Sequence, residues 1–183
     1  MTIGRLYELI NNPTQENSVE IADFIYHRLA GRYIVPQLNI PETFVSGFLM
    51  MSSACLLIEA YRAFRQGWDE TPRGQSGPTF AQFFADERAF FPKYECNLND
   101  FYGHIRCGIL HQAETTGGYR ILLCGPLFDE QERTYNARLF LERLEQAMKN
   151  YMNALKETPR RQDLWGPAIN KLTKICENCK KVP

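Results

Sequence analysis

The stretch from Glu42 to Gln66 constrains the fold more than any other part of the chain. Phe44, Phe48, Met51, Cys55 and Ile58 recur at helical spacing, and Val45, Leu49, Leu56 and Leu57 widen the stripe, so protein must cover more than one side of this helix. Such a helix needs other helices around it. Its richest part, Phe44 to Leu57, is interrupted by Ser46, Gly47, Ser52 and Ser53. It therefore reads as a core helix, expected to be the most buried element, and no span is expected to reach transmembrane length.

The flanking segments repeat the helical pattern. Ile3, Leu6, Leu9 and Ile10 make a brief helix before Asn12-Pro13, and Ala22, Ile25 and Leu29 mark a second helix, with Asn17 and Glu20 placed as its cap and capping partner. This helix should stop before Pro36, where a connector runs to Pro41. Residues 67–78 hold three Gly and two Pro and read as a long exposed loop. Thr79 and Gln82 form a capping box for a helix with a heavy aromatic face of Phe80, Phe83, Phe84, Phe90 and Phe91, stopped by Pro92. Core packing is a better use of those rings than base stacking. Tyr119–Cys124 reads as one short extended segment, and a long amphipathic helix starts near Thr134. The expected fold is all-α, a single domain over 1–183. It is an up-and-down bundle of about five main helices with a peripheral C-terminal segment over 160–183.

Composition narrows the function. The chain has 183 residues, 44% of them hydrophobic and 13% aromatic, enough to bury a core without staples. Lys and Arg total 21, as do Asp and Glu, so any nucleic-acid contact must come from a local patch and not a global basic field. Six cysteines occur with no secretory signal, which points to a reducing cytoplasm and no membrane.

One segment looks like a site: Phe101-Tyr-Gly-His-Ile-Arg-Cys-Gly-Ile-Leu-His111-Gln-Ala-Glu114, on a helix expected from about Leu98 to about Glu114. Arg106 is a permanent cation able to hold phosphate oxygens, and His111 can move protons near neutral pH. On a straight helix, Leu98, Tyr102, Ile105 and Ile109 share a largely apolar face, opposite His104, Cys107 and His111. Arg106 and His111 then point about 140° apart, too far for one straight helix to aim both at a single phosphate. Two routes reconcile them: Gly108 lets the helix bend or end early, or a second copy supplies its own pair across a two-fold axis.

Arg106-Cys-Gly-Ile-Leu-His111 fits the R-x4-6-H motif of HEPN domains, and the longer string Ile105 to Glu114 resembles those of uncharacterised bacterial HEPN-like proteins. These are small all-α modules, many of them metal-independent ribonucleases acting as dimers. The resemblance implies an RNA endonuclease of toxin or defence type, a homodimer, and an antitoxin or regulatory protein as a further partner. His111 would be the general acid/base and Arg106 would stabilise the phosphoryl transition state, with no cofactor and no metal. His104 would be accessory. Cys107 departs from the pattern, because catalytic members commonly carry a polar residue there, often asparagine. That departure and the balanced charge favour the alternative, a non-catalytic helical module binding a nucleotide, an RNA or a protein partner.

Glu59, inside the core-helix stripe, reads first as a solvated helix residue; the second reading pairs it with Arg106 and fixes the guanidinium. His104, Cys107 and His111 offer zinc-type donors at i, i+3 and i+7, but without an obvious fourth. Cys176 and Cys179 read as two unrelated thiols in a tail, and His27 as an ordinary surface or partly buried histidine. Neither a P-loop nor a G-x-S-x-G element is present. A nuclease requires Arg106 and His111 to converge on an open basic pocket, whereas a module tolerates them buried, diverging or capped by Glu59.

Overall fold

In the computed structural model, which describes residues 1–92 and 98–180 apart from the side chains of Glu42 and Leu98, the chain opens with α1 (Ile3–Asn11) and α2 (Gln15–Tyr33). Thr2 accepts from the Arg5 amide and Thr14 from the Asn17 amide, each at 3.2 Å, satisfying donors that a helix start leaves unpaired. Thr14, not Asn17, is therefore the cap of α2. Glu20 lies inside the helix and pairs at 2.7 Å with Arg5 on α1. Pro36 falls in the first turn of the short α3 (Val35–Leu38), where its missing N–H is no loss.

The core helix α4 (Gly47–Gln66) starts later than the apolar pattern, because the Ser46 hydroxyl accepts from the Leu49 amide and caps it there. Phe44 is left in a 3-10 turn, 78% exposed, and Leu49 and Leu56 also face outward. The stripe is thus narrower than its sequence. Its inner face, including Met51, Cys55, Ile58 and Tyr61, is fully buried against α2 and four helices that follow in the chain. By length and composition α4 could cross a membrane, contrary to the expectation that no span would be long enough; half of it is packed into the core.

α5 (Ser76–Asp86) takes in Ser76, Gly77 and Pro78, so the preceding loop ends at Gln75. The expected capping box does not form: Thr79 Oγ1 donates to the Gln75 carbonyl at 2.6 Å, and Gln82 donates to Asp86 at 2.7 Å. The helix stops before Pro92, and Phe91 reaches the core from the turn beyond its end. Phe83, Phe84 and Phe91 pack edge-on or tilted against one another at 5.3 to 5.5 Å, so the aromatic face is core.

The expected single helix over the motif is three pieces: α6 (Leu98–Asp100), a π-helical stretch (Phe101–Cys107) and α7 (Gly108–Gln112). A small sheet follows, built from β1 (Arg120–Leu122), β2 (Phe128–Asp129) and β3 (Thr134–Asn136) in the order β1-β3-β2. β1 runs parallel to β3, with Ile121 opposite Tyr135, and β2 runs antiparallel to it, with Phe128 opposite Tyr135. The extended segment near Tyr119–Cys124 is real, but it is the edge of a three-stranded sheet and not a lone strand. The fold is mostly helical with this sheet added, not purely α. Asn136 ends β3 and caps α8 (Ala137–Glu157) by accepting from the Leu139 amide at 3.1 Å.

α9 (Trp165–Lys180) packs on α4 and α1. The C-terminal segment is therefore not peripheral: Trp165, Ala168 and Leu172 are fully buried, and Trp165 Nε1 donates to the carbonyls of Leu155 and Thr158 at 3.1 and 2.8 Å. Arg160 lies over the Trp165 ring and donates to the carbonyls of Leu9 and Ile10 at the end of α1, tying the two ends of the chain together.

Candidate functional site

The motif segment is anchored by its apolar residues. Phe101 sits between Phe84 at 5.1 Å and Phe140 at 5.3 Å, stacked on the latter within 7°. Ile105 and Ile109 continue the inward edge; the side chain of Leu98, expected on the same edge, lies outside the described residues, as does Cys96. Anchoring this edge turns Arg106 toward α4. Its Nη2 and Nε donate to Glu59 Oε1 at 2.7 and 3.1 Å. Glu59 is thus the arginine's partner, not a solvated helix residue.

Burial alone would lower the guanidinium's hold on its proton, but the bonds to Glu59 outweigh it and the net shift is upward. Arg106 is a fixed, permanently charged group. Two of its nitrogens are committed to Glu59, and the third, Nη1, lies 3.2 Å from Nε2 of His111. A guanidinium can only donate, so the imidazole Nε2 is the acceptor in this contact.

The two motif side chains therefore converge within one chain. The straight-helix angle does not apply because the motif straddles the junction of a π-helical stretch and an α turn. Of the two routes anticipated, the early helix end is realised. Ala113 turns left-handed at φ 58°, and the Glu114 amide reaches back to the Gly108 carbonyl at 3.4 Å. Gly108 permits that closure, since a Cβ there would lie 2.5 Å from the Glu114 carbonyl oxygen. His111 is exposed on this last turn.

The accessory residues are placed differently. Cys107 is half-buried, with its sulfur 4.0 Å from Arg106 Nη1. His104 does not join the pair: its Nδ1 is 2.8 Å from Thr116 Oγ1, its ring stacks on Tyr119 at 5.4 Å, and its carbonyl accepts from the Thr116 amide. Gly117, at φ 65°, lies so close that a Cβ would come within 2.7 Å of the His104 ring. His104 thus holds the turn after the motif in place. Among the described residues no group of three His, Cys, Asp or Glu side chains is placed to hold a metal ion.

One contributor has a second role beyond the one expected from the sequence. Tyr102 packs its ring on the core, 5.6 Å from that of Phe80, as the apolar face requires, and the same ring lies 5.5 Å from the Arg106 guanidinium carbon, close enough for a cation–π contact. The available signal was its i, i+4 spacing to Arg106. Together Glu59, Tyr102, Arg106 and His111 make a small surface site: a held cation with one free donor edge beside an exposed imidazole. That arrangement can bind one oxyanion and exchange a proton with it. Comparison of the chain with known protein families, with curated proteins and with solved structures finds no match to any of them.

Proposed function

We propose that this chain is a HEPN-like, metal-independent RNA endonuclease. The observation that carries the reading is the 3.2 Å approach of Arg106 Nη1 to Nε2 of an exposed His111, with Glu59 fixing the guanidinium from behind. A phosphodiester at this point would replace the contact between them. The RNA 2′-hydroxyl attacks the adjacent phosphorus, and its proton passes to His111. Arg106 Nη1 neutralises charge building on a non-bridging oxygen. The 5′-oxygen leaves with a proton returned from an imidazolium, giving a 2′,3′-cyclic phosphate and a 5′-hydroxyl. DNA lacks the attacking group and is spared.

A homodimer fits the surroundings of the pair. Leu49 and Leu56 are exposed two turns apart on the outer side of α4, which leads on to Glu59, and Leu110 is exposed beside His111. A second copy covering these leucines would bring two Arg106/His111 pairs to one groove. In the toxin or defence role that the resemblance implies, an antitoxin or regulatory protein would act on that groove. The free thiols among the described cysteines suit a reducing cytoplasm.

One observation favours the second reading, a non-catalytic module for a nucleotide, RNA or protein partner. Glu59 offsets the charge of Arg106 and leaves a single donor edge open. The two readings part on cleavage of a labelled structured RNA in EDTA by wild type, Arg106→Ala and His111→Ala, with folding checked by circular dichroism. Cyclic-phosphate ends from wild type alone support the nuclease. An inert wild type, or variants that cut equally well, hands the site to the binding module.

A further inference from the structure

A second feature lies between α2, α4 and α9, and it uses none of the motif. Arg28 and Arg32 are one turn apart on α2 and share a face. With Lys171 of α9 they line a cavity of about 210 Å³. Leu29, Leu57 and Phe64 are buried beneath it, and Tyr33 and Leu56 are partly exposed at its walls. The cavity therefore has an apolar floor and a cationic rim.

Among the described residues neither Arg28 nor Arg32 has a carboxylate within ion-pair distance, so the two guanidinium groups at the rim are left without a neutralising acid. Lys171 donates to the backbone carbonyl of Asp69. The acids Asp69 and Glu70 act on it, but Arg28 opposes them. Burial first, and then the charge of Arg32, makes Arg28 easier to deprotonate than an ordinary arginine, and burial does the same to Lys171. Favourable placement of a cation at a helix C-terminus accounts for Arg32, in the last turn of α2. It does not account for Arg28, a turn earlier and half-buried, held against a like charge.

We propose that this cavity binds a small phosphate monoester, its phosphate held by Arg28, Arg32 and Lys171 and its apolar body resting on the floor between α2 and α4. Three cations suit a group carrying close to two negative charges, and paired guanidinium groups suit its several oxygens. The cavity lies below the range of about 300 to 1,000 Å³ common for drug-sized ligands. That limits the body to one ring or a short chain.

The test is calorimetric titration of the full chain with inorganic phosphate, phenyl phosphate, adenosine monophosphate, phenol and benzoate, against wild type, Arg28→Gln, Arg32→Glu and Arg106→Ala. Phenyl phosphate should saturate the protein and bind more tightly than inorganic phosphate and than adenosine monophosphate, whose body exceeds one ring, and phenol should not bind. Arg28→Gln and Arg32→Glu should each weaken binding of phenyl phosphate about tenfold or more, while the same saturable site should persist in Arg106→Ala, which removes only the separate oxyanion donor of the motif. If Arg28→Gln does not fold, the exposed Arg32→Glu decides alone. The proposal is overturned by the absence of saturable binding, by benzoate matching phenyl phosphate, by indifference to both arginine variants, or by loss of binding in Arg106→Ala. The ribonuclease reading stands or falls separately, on RNA cleavage.

Discussion

At Ala113 the backbone closes the motif turn in a left-handed conformation, φ 58° and ψ 19°, which glycine adopts freely and alanine does not. The strain of a Cβ in that region is roughly 1–2 kcal/mol, and part of the gain on removing it returns as chain entropy in the unfolded state. Ala113→Gly is therefore expected to stabilise the fold by about 0.5–1 kcal/mol, read as a higher urea midpoint with an unchanged slope. Glu59 makes the functional counterpart. It touches no substrate in the proposed mechanism, so it is a positioning residue acting through Arg106. Glu59→Ala should leave the circular dichroism spectrum intact and lower RNA cleavage about ten- to a hundredfold, because a guanidinium free to move by an ångström loses its aim. Higher cleavage in that variant would mean that Glu59 suppresses the site by neutralising it. At this scale the sequence named Arg106 and His111 and offered the Glu59 pairing as one of two options. Choosing between options needed the packing of α4 against the motif, which no spacing rule supplies.

At the scale of elements, the contact between α4 and the end of α5 is set by a buried acid. Glu87 is 5% exposed, accepts from Tyr61 Oη at 2.6 Å and lies 3.5 Å from Arg65 Nη1. Burial raises its carboxyl above 4.5, outweighing Tyr61 and Arg65, which favour the ionised form. A carboxyl that holds its proton more tightly folded than unfolded lowers stability as it ionises. The loss is absent below about pH 4.5 and grows as pH rises through the folded-state titration. Glu87→Gln keeps an acceptor for Tyr61 and cannot ionise. Its stability relative to wild type should therefore climb as pH rises above about 4.5, as measured by urea denaturation at a series of pH values; a flat difference would mean that Arg65 already cancels the burial. Element boundaries were the least legible part of the sequence. Thr14 and Ser46 cap helices from positions that the apolar periodicity does not mark. Strands of two and three residues are too short to show alternation, and β3 is buried at all three positions. The π-helical stretch was equally hidden, since it changes the turn without changing residue type.

The whole molecule shows why the helices could be read and their assembly could not. Amphipathic stripes in α1, α2, α4 and α8 follow from spacing, because each must bury its apolar side against another. The same spacing assigned Leu49 and Leu56 to the core, yet they stand outside at 64% and 48% exposure. Nothing in one chain's periodicity distinguishes a residue buried by its own fold from one buried by a partner. Exposed leucines in register on one side of a helix are the pattern expected when a partner completes the burial, and this side leads to the Glu59–Arg106–His111 site. If the proposed homodimer forms there, Leu49→Asp with Leu56→Asp places a charge on each leucine position at the interface, where it must be desolvated or expelled. The double variant should sediment as a monomer at concentrations where wild type is a dimer, and keep its helical spectrum because neither residue supports the internal core. If the groove needs both copies, RNA cleavage should fall at least tenfold while Arg106 and His111 remain intact. A monomeric variant with full cleavage would confine the chemistry to a single chain. A variant that remains dimeric would move the interface away from α4.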